Sequence, residues 1–330
     1  MVNPPNGEIL EIDYDRDFMV CLVTFCSIML TIIIVANITV IVRIMSLKRF
    51  SRMNFFLLNL SIADVLVGAV VVLPDVMEKS KVSYVPYKCI CKIHYLLSIA
   101  VSCNASFALA CVSFDRLLAI AYPFFIQSKN IRWLLLGSSW LISLSNGTPM
   151  ITFRQIMRIR LTSTYLNYTT SEDINICAIN VTRQQSRILV LYYATMIFFL
   201  PCTIISICYT IIMRILWSKS RKTNCYFTHL EKVDNCCTFQ ESKMQAVSSH
   251  DYRTNNTIQL LLRARLKSVK ISFIIVSAFV ACWSPYFIFN LLSTLGIIKS
   301  GRSVIFMQSM GYLSSAINPI IYWTFTKKTK

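Results

Sequence analysis

Seven apolar runs, each long enough to cross a lipid bilayer, follow one another along this 330-residue chain and leave little choice of architecture. They are Phe18 to Val42, Phe55 to Met77, Ile93 to Phe114, Trp133 to Ile151, Ile188 to Met213, Ile271 to Leu292 and Val304 to Phe325. The third is the plainest case: from Ile93 to Phe114 the only acidic or basic side chain is His94. A helix over that run spans about 33 Å, against a hydrocarbon core of about 30 Å. Lipid offers the backbone no partners, so each run must close its hydrogen bonds within itself. Apolar residues make up 55% of the chain and charged ones only 15%, more grease than a water-soluble fold can bury. The fold class expected is therefore an all-α membrane protein, a bundle of seven transmembrane helices.

A net charge of +18 would point to nucleic acid in a soluble protein; here its placement matters more. With Arg116 facing inward, 21 of the 33 Lys and Arg fall in the loops of one side, including Arg43, Lys48, Arg49, Arg52 and the stretch from Arg214 to Lys270. The opposite side takes nine of the 15 acids, among them Glu8, Glu11, Asp13, Asp15 and Asp17. The positive-inside rule then puts the N-terminus outside and the C-terminus in the cytosol. Residues 1–17 are expected outside, 18–326 as the membrane domain, and 327–330 as a short cytoplasmic tail. No basic region leads into an apolar one at the start, so the first helix is expected to act as its own insertion signal. Residues 217–257 form the one long polar stretch and read as a cytoplasmic loop.

Several spans carry groups that lipid does not tolerate without a reason. Asp64 sits in the second: a carboxylate there costs about 2.5 to 3.5 kcal/mol to insert, and each Leu, Ile, Phe or Val returns about 0.3 to 0.6. Intramembrane acids mark a functional interior. Asn37 and Asn318 add amides to the first and seventh spans. Pro74, Pro201, Pro285 and Pro319 interrupt the second, fifth, sixth and seventh helices and predict bends. Pro74 leaves Asp75 and Glu78 at the outer end of its helix, facing either a ligand entrance or water. Past Arg116, Pro123 leaves Phe124 and Phe125 at the cytosolic surface, as a docking knob for a partner or as an anchor in the headgroups. Of the 13 cysteines, Cys89, Cys91 and Cys177 fall on the oxidising side. The sequons at Asn167 and Asn180 lie on that same side, open to glycosylation.

Taken in chain order, Asn37, the LxxxD ending at Asp64, Cys91, Asp115-Arg116-Leu117, Trp140, Cys177, Pro201 with Tyr209, Cys282-Trp283-Ser284-Pro285 and Asn318-Pro319-Ile320-Ile321-Tyr322 resemble the rhodopsin-like (class A) G-protein-coupled receptors. The resemblance covers Phe18 to Phe325. It implies a disulfide between Cys91 and Cys177, with Cys89 as an alternative partner, and a polar cluster of Asp64, Asn37 and Asn318. Receptors of this type hold sodium at that cluster, but Ala105 stands where their third helix has a serine, so no metal and no cofactor is assigned. Trp283 above Pro285, with Phe279 below it, would be the lever that a ligand moves. Arg116 would be held by Asp115 at rest and released toward Tyr209 and Tyr322 when a heterotrimeric G protein docks, with Phe124 beside it. Arg265 occupies the position where many members place an acid to latch Arg116, which implies appreciable ligand-free signalling.

Ligand class follows mainly by elimination. Ser98 stands where amine receptors carry their acid, and Tyr312 where opsins carry the retinal lysine. Asp75, Glu78, Asn290 and Gln308 at one mouth, with a charged second outer loop, suit an extracellular peptide bearing charges and amides. Leu73-Pro74-Asp75 and the run from Arg263 through Asn290 are similar to the gonadotropin-releasing hormone and vasopressin/oxytocin receptors. A receptor for a lipid or other non-peptide ligand would share every motif except the outer acids. A transporter or channel is disfavoured by the lack of an inverted repeat and of charges laddered through the bilayer. An enzyme is disfavoured because no nucleophile and base, or metal-ligand set, fall at recognisable spacing.

Overall fold

A computed structural model describes residues 10–13, 16–48, 51–80, 88–122, 129–165, 168–234, 245–298 and 302–326. Among these, seven helical rods form the bundle. The first is Arg16–Met45 and the third Lys88–Ala121. The second runs Arg52–Val67, passes through a wider π-helical turn at Gly68–Val72, and continues as Leu73–Lys79. The fifth repeats that device: Arg183–Ala194, a π turn at Thr195–Phe199, then Leu200–Asp234. The sixth is Gln245–Thr294, with Pro285 inside it. The seventh is Arg302–Gly311 followed by Leu313–Thr326, with Pro319 inside it.

Six of these rods are long and apolar enough to cross a membrane. The fourth, Lys129–Gly147 with Pro149–Phe153 continuing it, is diluted by serines and asparagines. Three of its four serine hydroxyls are satisfied inside the helix: Ser138, Ser139 and Ser145 donate to the carbonyls of Leu135, Leu136 and Ile142 at 3.0, 2.9 and 2.7 Å. A serine that bonds back to its own helix presents far less polarity to lipid than its composition suggests.

Both π turns come just before a proline, Pro74 and Pro201, as bends with an identifiable cause do. Pro74 carries no N–H for the carbonyl of Val70, one α-helical turn earlier. The third helix supplies the replacement: Ser98 Oγ lies 3.0 Å and His94 Nε2 2.9 Å from that oxygen. The break thus becomes a tie between two helices.

Two regions depart from the sequence reading. The polar stretch 217–257 is not coil where it is described, since the fifth helix runs through Asp234 and the sixth begins at Gln245. Trp217 to Thr257 holds no Gly and no Pro, and a helix already nucleated in the membrane extends cheaply until something stops it. The second outer loop is a β-hairpin, β2 (Arg154–Tyr165) antiparallel to β3 (Tyr168–Ile179), with β1 (Leu10–Asp13) parallel to β2 at its other edge. Ile, Thr and Tyr populate β2 as strand formers do.

The third helix is the axis of the bundle. Small or slim side chains on it (Ala100, Cys103, Ser106, Ala108, Ala110, Ser113) are all buried, which lets neighbouring rods approach closely. Gly147 is the tightest such approach, for a methyl group added there would lie 2.5 Å from the Leu96 carbonyl oxygen, a backbone atom that cannot swing aside. Gly147→Ala should lower stability by about 1 to 3 kcal/mol through overpacking, read as a fall in the thermal midpoint of the detergent-purified protein. An unchanged midpoint would mean that the third and fourth helices do not meet there.

Candidate functional site

Beneath the hairpin a cavity of about 330 Å³ opens between the second, third, fifth, sixth and seventh helices. Its roof is pinned by the disulfide between Cys91 and Cys177, both buried, as the motif comparison implied, while Cys89 stays a free, exposed thiol. Arg154, at the root of β2, adds a second pin. Its guanidinium donates to the Cys177 carbonyl at 2.8 Å and lies 3.4 Å from the centre of the Tyr95 ring on the third helix. The stacked cation and the covalent bridge together fix the hairpin over the third helix.

Charge is arranged along the wall made by the second helix. Asp75 and Lys79, one turn apart, form an ion pair, and the Tyr312 hydroxyl donates to the same carboxylate at 3.0 Å. Lys79 and Tyr312 are buried, so the carboxylate ties the second helix to the seventh. Glu78 is exposed at the mouth and accepts from the Tyr95 hydroxyl at 3.3 Å; among the described residues it forms no ion pair. The cavity also exposes Gln308, Asn290 and the Tyr193 ring, against an apolar floor of Ile197, Tyr286, Phe287 and Trp283. Asn290 donates to the Tyr286 hydroxyl at 3.4 Å. The Ser98 hydroxyl, although it lines the cavity, is engaged with the Val70 and His94 carbonyls at 3.0 and 2.9 Å.

Trp283 closes the floor. Its indole N–H donates to Ser314 Oγ at 2.9 Å, and its ring lies flat against Gly311, where any side chain would press on it at 3.1 Å. Phe287 stacks on Phe198 with ring centres 5.1 Å apart, and Phe279 lies 6.1 Å from Phe198 and 6.4 Å from Trp283. A displaced Trp283 therefore pushes at once on the fifth, sixth and seventh helices. Below it a smaller space of about 20 Å³, room for one water-sized occupant, is lined by Asp64, Asn318, Ser315, Ser106 and Ala105. Asn318 donates to Asp64 at 2.9 Å, and Asn37 joins through the Ser315 carbonyl at 3.1 Å. Ala105 offers no oxygen, but Ser106 and Ser315 do, and one carboxylate with hydroxyl oxygens is a donor set for a small hard cation or a water.

At the cytoplasmic end Asp115 is wholly buried and holds two guanidinium groups, Arg116 at 3.0 Å and Arg52. Tyr209 packs edge-on against Phe273 with Ser113 and Ser272 beside its hydroxyl, and Tyr322 lies with Arg43 and Trp323. Both tyrosines are buried, Tyr209 within electrostatic reach of Arg116, and Arg116 stays on Asp115. Asn180 is exposed at the end of the hairpin, its amide bonded to Gln155 at 3.2 Å; Asn167 and Phe124 lie outside the described residues. Pro285 sits in the unbroken sixth helix between Trp283 and Tyr286, both of which line the cavity. The structure adds Lys79, Arg52, Arg154, Tyr95, Tyr193 and Tyr312 to the residues picked out from the sequence. Only the spacing of Asp75 and Lys79 gave a local signal.

A helical bundle that crosses the membrane several times, with a roofed cavity at one face and a buried ion pair at the other, has the construction of a multi-pass receptor of the plasma membrane. The chain belongs to the 7 transmembrane receptor (rhodopsin family), whose profile matches residues 35–322. It is 28% identical to the neuropeptide S receptor of Homo sapiens over 89% of this chain and 73% of that one. It is 25% identical to the neuropeptide S receptor of Mus musculus over 91% and 75%, and 25% identical to the mesotocin receptor of Rhinella marina over 92% and 73%.

Asp75→Asn should strand the buried Lys79 ammonium, and leaving one partner of such a pair uncompensated is strongly destabilising. Surface expression should drop several-fold and return in the Asp75→Asn, Lys79→Gln double variant. Equal expression of wild type and Asp75→Asn would show that the pair is not formed in the folded protein.

Proposed function

We propose that this chain is a receptor for an extracellular peptide that activates heterotrimeric G proteins, with the roofed cavity as ligand site and Arg116 as the group released to the partner. The observation that carries the reading is the juxtaposition in one cavity of an aromatic floor and a rim with both charge signs and amides. An apolar side chain can bury itself against Trp283, Phe287 and Ile197, while the peptide's own N–H, C=O and charged groups meet Gln308, Asn290, Tyr193, Glu78 and Arg154. Buried polar groups demand such partners, and a lipid tail would leave this rim unanswered. The relatives carry the names of peptide receptors, which supports the same reading.

The electrostatics also narrow the anchor. Asp75 is already neutralised by Lys79 and Tyr312, so a ligand cation meets Glu78 first. Asp75 then shapes the wall by joining the second and seventh helices. At the other end, the held Arg116 is the resting arrangement, and Tyr209 and Tyr322 are the groups that receive it when the partner docks.

A neuropeptide panel applied to cells that co-express the receptor with a promiscuous Gα subunit, read as intracellular calcium, tests the reading. At least one peptide is expected to give a saturable rise absent from untransfected cells; a rise to lipids alone would replace peptide with lipid. For the active peptide, Glu78→Gln should weaken binding by about 1.5 to 3 kcal/mol if it meets a ligand cation in a charge-assisted bond, at normal surface expression. An unchanged dissociation constant would remove Glu78 from the site.

A further inference from the structure

Asp115 receives two guanidinium groups, and only one of them belongs to the switch described above. Arg116 approaches Asp115 Oδ2 at 3.0 Å, while Arg52 donates from Nε to Oδ1 of the same carboxylate. The carboxylate side chain is 0% exposed and that of Arg52 19%. Arg132 of the fourth helix is the further cation whose charge reaches Asp115, but it makes no ion pair with it and lies over the Phe55 ring at 5.4 Å.

Local structure does not explain where Arg52 sits. Ser51 caps the second helix by accepting from the Asn54 N–H at 3.2 Å, which makes Arg52 its first residue. A cation at the N-terminal end of a helix opposes the helix dipole. The compensation is tertiary, through Asp115 on the third helix.

Two effects follow, and they have one sign. At rest Arg52 and Arg116 share a carboxylate and repel each other, which weakens the hold on Arg116. When Arg116 leaves, Arg52 stays, so the buried carboxylate is not left unpaired, the outcome that makes breaking such pairs expensive. We infer that Arg52 is a positioning residue of the switch: it keeps Asp115 neutralised while Arg116 departs, and so lowers the free-energy gap between the resting and coupled states. This rests on the reading that Arg116 leaves Asp115 when a G protein docks.

The test is ligand-free nucleotide exchange, measured as uptake of a radiolabelled non-hydrolysable GTP analogue in membranes that carry the full-length receptor fused to each of a panel of Gα subunits. Wild type, Arg52→Gln, Arg52→Lys, Asp115→Asn and the Asp115→Asn, Arg52→Gln double variant are compared at matched surface expression, with empty membranes as baseline. Arg52→Gln should lower exchange by roughly tenfold, or to baseline, while Arg52→Lys retains most of it and Asp115→Asn exceeds wild type. With Asp115 already neutral there is no carboxylate charge left for Arg52 to neutralise, so the double variant should match Asp115→Asn alone. The inference is overturned if Arg52→Gln equals or exceeds wild type while Asp115→Asn is active, or if it lowers exchange equally in the Asp115→Asn background, as a merely structural residue would. Exchange at baseline in every variant, Asp115→Asn included, would instead sink the G-protein reading itself and the inference with it.

Discussion

The hydrocarbon core of a bilayer offers no water to a polar group, and that constraint governs where polar groups can be placed in this bundle. A carbonyl, amide or carboxylate removed from solvent in a lipid-embedded fold must find its partner within its own helix or on a neighbouring one. The Val70 carbonyl bypassed by Pro74 is met by Ser98 and His94; Asp64 is met by Asn318; the Trp283 indole by Ser314; the Asp75 carboxylate by Lys79 and Tyr312. Apart from the Asp75–Lys79 pair, which lies within the second helix, each of these contacts is also a tie between two rods. The polar groups that make the interior expensive are the ones that set how the rods are joined.

Ties of this kind have few alternative arrangements, which is what a switch requires. Trp283 touches the cavity on one side and the small polar space around Asp64 on the other, so both spaces share a wall. Around it the rings of Phe198, Phe279 and Phe287 fill the gap between the fifth and sixth helices. The bends that would let these rods move lie at the same depth: the π turn at Thr195–Phe199 in the fifth, Pro285 in the sixth and the break at Gly311 in the seventh. Packed interiors are bistable and not continuously deformable, so the proposed push at the floor would be expressed as a rearrangement of whole rods. The far ends of those rods surround Asp115 and Arg116.

Much of this was legible in the sequence, and the reason is length scale. A span is a run of some twenty apolar residues, and Asp64, Arg116, Trp283 or Asn318 stands out because it violates its immediate surroundings. The pairing of Cys91 with Cys177 and the Asp115 hold on Arg116 came from motif resemblance and appear in the structure. What escaped depends on contacts distant in sequence. Arg52 looked like one of several basic residues in a cytoplasmic loop, because nothing near it announces Asp115, 63 residues away. Arg154 looked like loop charge, because its seat on Tyr95 joins the hairpin to a residue on another element far away in the sequence. The helical extensions beyond Trp217 were misjudged for a different reason: their composition is polar, but polarity alone does not end a helix.

The central claim is that the outward cavity and the inward arginine are separate sites joined by one rearrangement. Replacing Arg116 with Ala while following both ends addresses it most directly, by measuring saturation binding of the active peptide together with nucleotide exchange on the partner G protein. Peptide affinity should stay near the wild-type value while exchange disappears. Parallel loss of affinity and exchange would show that Arg116 only holds the fold together, and the account would fail.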